Sequence, residues 1–194
     1  METTLSTLPQ VSTQAVGKTF GKRAAAYIID TFAVYAVNLV AGFGVGILLG
    51  IAALLNGTEF HINDQSSLQG LNILADVILY ILYYTVFEGL YGATAGKLIL
   101  GMRVVKENGE PCDLRAAFIR ALYRYIDGFF FALPALNSMK APLNQRLGDK
   151  AAHTIVVDSK DAIIQGHRNW QSFLAAATVY FAVDAIILLF LFTR

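Results

Sequence analysis

Three aspartates, Asp30, Asp76 and Asp184, lie inside stretches otherwise built from apolar side chains. A carboxyl removed from water is costly to charge unless a cation or hydrogen-bond donors meet it. Each is therefore a candidate site for a proton or a small cation, or for a hydrogen bond that joins two helices. Asp184 stands near the middle of its run, where a charge costs about 2.5 to 3.5 kcal/mol on insertion scales. No basic residue lies within a helical turn of Asp184 or of Asp76. Unpaired, Asp184 is expected to hold a proton, as proton-coupled exchange requires; the structural alternative is a bond to a Tyr or Asn of another helix. Asp76 is near one end of its run, where partial solvation is expected. Asp30 follows Arg23 by seven residues, on one helix face but roughly 10.5 Å along the axis, so a direct pair is stretched. The expectation is that Arg23 anchors the helix at the lipid headgroups while Asp30 bonds a neighbouring helix or a cytoplasmic domain. The alternative is a cation or proton site gated by Arg23, although a nearby arginine favours a permanently ionised carboxylate.

The elements that must carry these residues are visible in the apolar runs. Of 194 residues, 56% are apolar and 15% charged, against about 45 to 50% and about 25% in soluble domains. The excess is concentrated in Ala24 to Leu55, Leu71 to Leu90 and Ser172 to Phe192. Each reaches the roughly 20 residues that span a hydrocarbon core about 30 Å thick. A fourth stretch, Ala116 to Leu136, has Arg120, Arg124 and Asp127 in its first half and Pro134 in its second. It is expected to be an amphipathic helix from Asp113 to about Asp127 at the cytoplasmic interface, followed by a short re-entrant or surface turn. A true fourth span with its arginines facing inward is the alternative. Arg120, Arg124 and Asp127 share one face by spacing; the expectation is contact with anionic lipid, with Asp149 as counter-charge to one arginine. A cytoplasmic gate or a phosphate contact is the other reading.

The expected fold is thus an all-α integral membrane helical bundle with a small cytoplasmic β-hairpin-like element. It comprises a mobile tail over 1–17, helices at about 24–55, 71–90 and 113–136, and a linker with a C-terminal transmembrane helix over 159–194. The first apolar run is too long for a cleaved signal, whose apolar region is about 7 to 15 residues. Lys18, Lys22 and Arg23 precede it, Lys97, Arg103, Lys106 and Arg115 follow the second run, and the loop between the runs has neither Lys nor Arg. By the positive-inside rule the N-terminus is cytoplasmic. Five more basic residues, Lys140, Arg146, Lys150, Lys160 and Arg168, precede the last run; they belong on the same side only if the fourth stretch does not cross. Val104-Val105 before Asn108-Gly109, and Ala152 to Asp158, read as two short strands that could pair on that side.

Other features admit milder readings. Gly42, Gly46 and Gly50 make a smooth strip for helix packing, within the molecule or between copies, with Asn38 one turn earlier. Tyr80 and Tyr83 are expected in a packed aromatic stripe, and Glu88 beside Lys97 or the basic helix. The net charge of +1 excludes a strongly basic nucleic-acid binder, and one cysteine, Cys112, excludes a disulfide scaffold. Gly92 to Lys97 departs from a phosphate loop at both ends, Asn56-Gly57-Thr58 is a weak glycosylation pattern, and His61, His153 and His167 lack metal-ligand spacing. No catalytic constellation, metal or cofactor is expected.

Three stretches, GKRAAAYIID at Gly21 to Asp30, GATAGKLILGMRVV at Gly92 to Val105 and NQRLGDKAAHTIVV at Asn144 to Val157, together resemble the RDD family of multi-pass membrane proteins, named for one Arg and two Asp. The resemblance covers about Gly17 to Asp158 and assigns the signature to Arg23, Asp30 and Asp149. Many members carry His where this chain has Gly148, and Gly where it has His153. A role for a His beside the second Asp does not carry over. The resemblance implies a protein of the inner or plasma membrane, with ion transport, including sodium/proton exchange, proposed for some members. Two functions follow: a small-cation or proton-coupled transporter using Asp30, Asp76 and Asp184, oligomeric because three spans are few for a pathway, or a non-transporting scaffold that binds other membrane proteins. The expected partners are lipid, a second copy and a small cation or proton.

Overall fold

A computed structural model of the protein describes residues 16–57, 69–128, 137–140, 142–161, 163–164 and 169–192. Most of the expected N-terminal tail, His61, Thr58 of the glycosylation pattern, the turn around Pro134, His167 and Arg168 lie outside the described residues. Three long helices dominate. Helix α1 runs Phe20–Leu55. Helix α2 runs Gln69–Val86 and continues as a π-helical turn, Phe87–Tyr91, and the last helix, Trp170–Phe192, is α6 in the numbering that follows. Uninterrupted apolar sequence favours helix in lipid, where every backbone N–H must find its carbonyl within the segment. Among the described residues, three helices are long and apolar enough to cross a membrane: Phe20–Leu55, Gly70–Tyr91 and Trp170–Leu191. Phe32, Leu39, Val40, Phe43 and Leu54 of α1 are largely exposed, as side chains facing lipid are. At 1.5 Å per residue α1 is about 54 Å long, well beyond a bilayer core of about 30 Å. Its first turns therefore stand outside the hydrocarbon, in a polar cap.

The cap is built from the chain between α2 and α6. It contains α3 (Ala95–Ile99), β1 (Met102–Lys106), α4 (Leu114–Gly128), α5 (Leu147–Ala151) and β2 (Thr154–Asp158). The strands pair antiparallel with Met102 opposite Asp158 and Lys106 opposite Thr154. Met102, Val104, Val105, Ile155, Val156 and Val157 are all buried, so both faces of this two-stranded sheet are covered. Its edges are covered too: Val104 N–H donates to Gly92 O (2.7 Å) on one side, and Lys18 N–H to Val156 O (2.8 Å) on the other. The pair is not a hairpin, because α4 and α5 intervene; β1 turns instead at Gly109 (φ 86°) to bridge Pro111.

This pairing bears on the fourth stretch. Strands of one sheet lie on one side of a membrane, which agrees with the three candidate spans among the described residues and with an α4 that does not cross. Helix α4 packs on α2 and α5. Its amphipathicity is the reverse of the expectation. Arg120, Arg124 and Asp127 are buried, whereas Leu114, Phe118, Leu122, Tyr125 and Ile126 are exposed. The charged face does not meet lipid headgroups, because its counter-charges stand behind it in the cap. Close approach of two elements depends on glycine. A Cβ at Gly96 would collide with the Ala26 carbonyl of α1, and one at Gly148 would stand 2.8 Å from Tyr123 Cβ of α4.

The topology can be checked by membrane-impermeant thiol labelling. Single cysteines at Glu107 and Lys160 are expected to label from one face, and a cysteine at Asn56 from the opposite one. Labelling of Glu107 and Lys160 from different faces would show that α4 crosses.

Candidate functional site

At the junction of cap and spans, charges from five segments are buried together. Glu88, in the π turn of α2, accepts from Lys97 Nζ (2.9 Å), Arg120 Nε (2.8 Å) and Arg124 Nη2 (3.1 Å). Asp149, in the first turn of α5, accepts from Arg23 Nη2 of α1, from Arg120 Nη1 of α4, and from the Arg146 backbone N–H (2.9 Å). Arg120 Nη1 also donates to Thr154 Oγ1 (2.7 Å), Arg23 Nη1 to the Asn144 carbonyl (2.8 Å), and Arg124 lies over the Tyr84 ring, 3.6 Å from its centroid. Burial works to raise the Asp149 pKa, yet the guanidiniums of Arg23 and Arg120 hold it well below the usual carboxylate range. Burial pulls Lys97 down to about 8 against the attraction of Glu88. Asp127 faces the backbone amides of Leu147 and Gly148, but burial outweighs them and pushes its carboxyl up.

Arg23 is thus not a headgroup anchor. It points into the cap, where Asp149 and a carbonyl satisfy it better than the interface could. Asp30 is fully buried and takes a separate set of donors: Tyr83 Oη (2.9 Å), Thr94 Oγ1 (2.7 Å) and Gly96 N–H (2.7 Å). Among the described residues it makes no ion pair. It fastens α1 to α2 and to the start of α3, and the close contact of Gly96 with α1 lets its amide reach the carboxylate.

The other carboxylates are elsewhere. Asp184 is deep in the bundle, 1% exposed, with neither carboxylate oxygen hydrogen-bonded among the described residues. One turn before it, Tyr180 donates to Asn38 Oδ1 of α1 (3.3 Å) and lies 5.6 Å, ring to ring, from Tyr83. Asp76 is exposed on α2. Among the described residues no group of three or more His, Cys, Asp and Glu, these three aspartates included, could hold a metal ion. Tyr84 packs edge to face with Tyr80 and with Tyr83, and Tyr83 with Tyr180. The strip of Gly42, Gly46 and Gly50 has nothing within 4 Å of where a Cβ would stand, so it packs against no other described helix.

Thr94, Gly96, Asn144, Arg146 and Thr154 are structural partners that residue type alone did not single out. All fall in the two cap stretches that carried the resemblance. His153 occupies the left-handed region (φ 49°), which suits the glycine many members have there. Gly148 is where α5 touches α4, and a His would force the helices apart.

Fold and site define a class: a small three-span helical membrane protein whose spans are tied to a polar cap by one buried ion network. The chain belongs to the RDD family, whose family model matches residues 18–153. No curated protein and no solved structure matches it. The match takes in the whole network and stops short of α6 and Asp184.

Replacing Asp149 with Asn leaves Arg23 and Arg120 buried without their shared counter-charge, and a cost of about 3 to 5 kcal/mol is expected, read as a lower melting temperature in detergent. Because its folded pKa is depressed, the stability Asp149 contributes is present above the unfolded value of about 4 and lost as pH falls below it. Melting is therefore expected to be insensitive to this group between pH 7 and pH 5 and to drop under about pH 4. Asp149→Asn should lack its share of that drop.

Proposed function

We propose that the protein is a small-cation or proton-coupled transporter of the cell membrane, for example exchanging Na+ for H+, with Asp184 as the group that carries the proton. One observation supports the reading above the others: a carboxyl at the centre of the last span, 1% exposed, without a hydrogen-bond donor among the described residues. Glu88 and Asp149 have cations, and Asp30 has three donors. Asp184 has no such compensation, so it binds a proton readily and releases it when water or a cation arrives. Asp30 enters the reading as a fastening rather than a carrier, and Asp76 as an exposed group on α2. The basic residues before α1 and between α2 and α4 support a cytoplasmic N-terminus and cap. The reading involves no enzymatic step and no cofactor.

A second reading, a scaffold that binds other membrane proteins, draws on the open glycine strip of α1. Smooth strips of this kind let a second helix approach closely, and a second copy of the chain there would also help three-span protomers to form a pathway.

Reconstitution of the purified protein with Na+, K+ and H+ flux measurements separates the two. Asp184→Asn is expected to abolish cation-dependent proton movement while leaving expression and oligomer mass unchanged. Undiminished exchange in that variant would remove Asp184 from the mechanism. No flux in the unaltered protein, together with a stable partner on mild purification, would favour the scaffold.

A further inference from the structure

The buried network at the junction is unbalanced. Five cations, Arg23, Lys97, Arg120, Arg124 and Arg146, face three carboxylates, Glu88, Asp127 and Asp149, while Asp30 is met by neutral donors. Asp127 is the least secure of the three, since burial pushes its carboxyl up. Glu88 is shared by three cations, and both oxygens of Asp149 are already taken by Arg23 and Arg120. Arg146 is left over. Its Nε makes no hydrogen bond among the described residues, and the nearest carboxylate oxygens are 3.9 Å away on Asp149 and 4.0 Å on Asp127. Buried N–H groups of Arg23, Arg120 and Arg124 are also without an acceptor. Burial together with the neighbouring guanidiniums of Arg23 and Arg124 pulls Arg146 down to about 9. A guanidinium nevertheless stays charged in proteins, so the excess calls for a negative charge beyond those of the described residues. The Arg146 side chain retains 14% of its exposure, which leaves a way in.

We propose that this corner of the cap binds a phosphate group through Arg146, supplied by the headgroup of an anionic lipid or by inorganic phosphate. The planar fork of a guanidinium matches two phosphate oxygens at once, whereas chloride can use only one point of attachment. The cap adjoins the ends of the spans, where lipid phosphates lie. The ligand would close the electrostatic gap between α4 and α5, and the site is independent of whether Asp184 carries protons.

The test is the melting of full-length, delipidated protein in detergent. One arm adds inorganic phosphate against chloride at equal ionic strength; the other adds phosphatidylglycerol against phosphatidylcholine. A rise of roughly 3 °C or more over the control is expected in one arm or both, and the arm that responds assigns the source. The rise should be absent in Arg146→Gln. In Arg146→Lys, which keeps the charge and loses the fork, the concentration giving half the shift should increase severalfold. No rise in either arm for the unaltered protein overturns the proposal. An equal rise in Arg146→Gln does so too, as does, should that variant not fold, an unchanged dose response in Arg146→Lys.

Discussion

Two carboxylates hold the molecule together. Glu88 and Asp149 are each shared among cations from different segments, and Arg120 bridges them, with Nε on Glu88 and Nη1 on Asp149. Through this one side chain α2, α4 and α5 are joined, and Arg23 and Lys97 add α1 and α3. A side chain that is 1% exposed and charged has no favourable alternative partner. The network forms complete or leaves an uncompensated charge behind, which makes it demanding of register rather than a large source of stability. The apolar clusters around it, Val104, Cys112, Ala117 and Val156 on one side and Tyr84, Ala121, Ala176 and Tyr180 on the other, supply the undirected part of the packing.

Asp30 complements this arrangement with a different chemistry. It is as buried as Glu88, yet it is met by a hydroxyl, a phenol and a backbone amide instead of cations. Neutral donors can satisfy a carboxylate without adding to an already positive cluster. The seven residues between Arg23 and Asp30 thus separate two tasks along one helix: the arginine reaches down to α5, and the aspartate reaches sideways to α2 and α3. Their distance along the axis, which forbids a direct pair, lets one face of α1 serve both.

Much of this was legible in the residues. Long apolar runs marked the spans, β-branched pairs marked both strands, and the failure of charges to suit a fourth span pointed to a helix that does not cross. Glu88 beside Lys97 followed from their positions at the end of a span. The orientation of α4 was not legible, since a stripe of Arg120, Arg124 and Asp127 looks the same whether it faces headgroups or buried carboxylates. Deciding between them needs the location of Asp149, which is distant in sequence and arrives through the return of the chain to α5. The glycine strip was open in the same way: spacing shows that a helix can approach closely, and says nothing of whether that helix belongs to this chain or to another. Arg146 was hidden because its distinction is an Nε without a hydrogen-bond acceptor among the described residues, which only the assembled cap reveals.

The buried charges also bear on the topology. Without Arg120 and Arg124, the stretch from Ala116 to Leu136 would hold a single charge, Asp127, over about the length that crosses a bilayer. Such a helix could insert, and β2 would then emerge on the side opposite β1. The two strands could not pair, and Arg23 would lose Asp149. Apolar replacements often pack the interior of a soluble protein as well as buried ions do, but beside a membrane they would change where the helix lies. Positive charge on the inner face of α4, matched by carboxylates already fixed in the cap, keeps the helix out of the hydrocarbon while its Leu, Phe, Tyr and Ile face remains exposed. The ions that look expensive inside the cap are thus the means by which a largely apolar helix is held on one side.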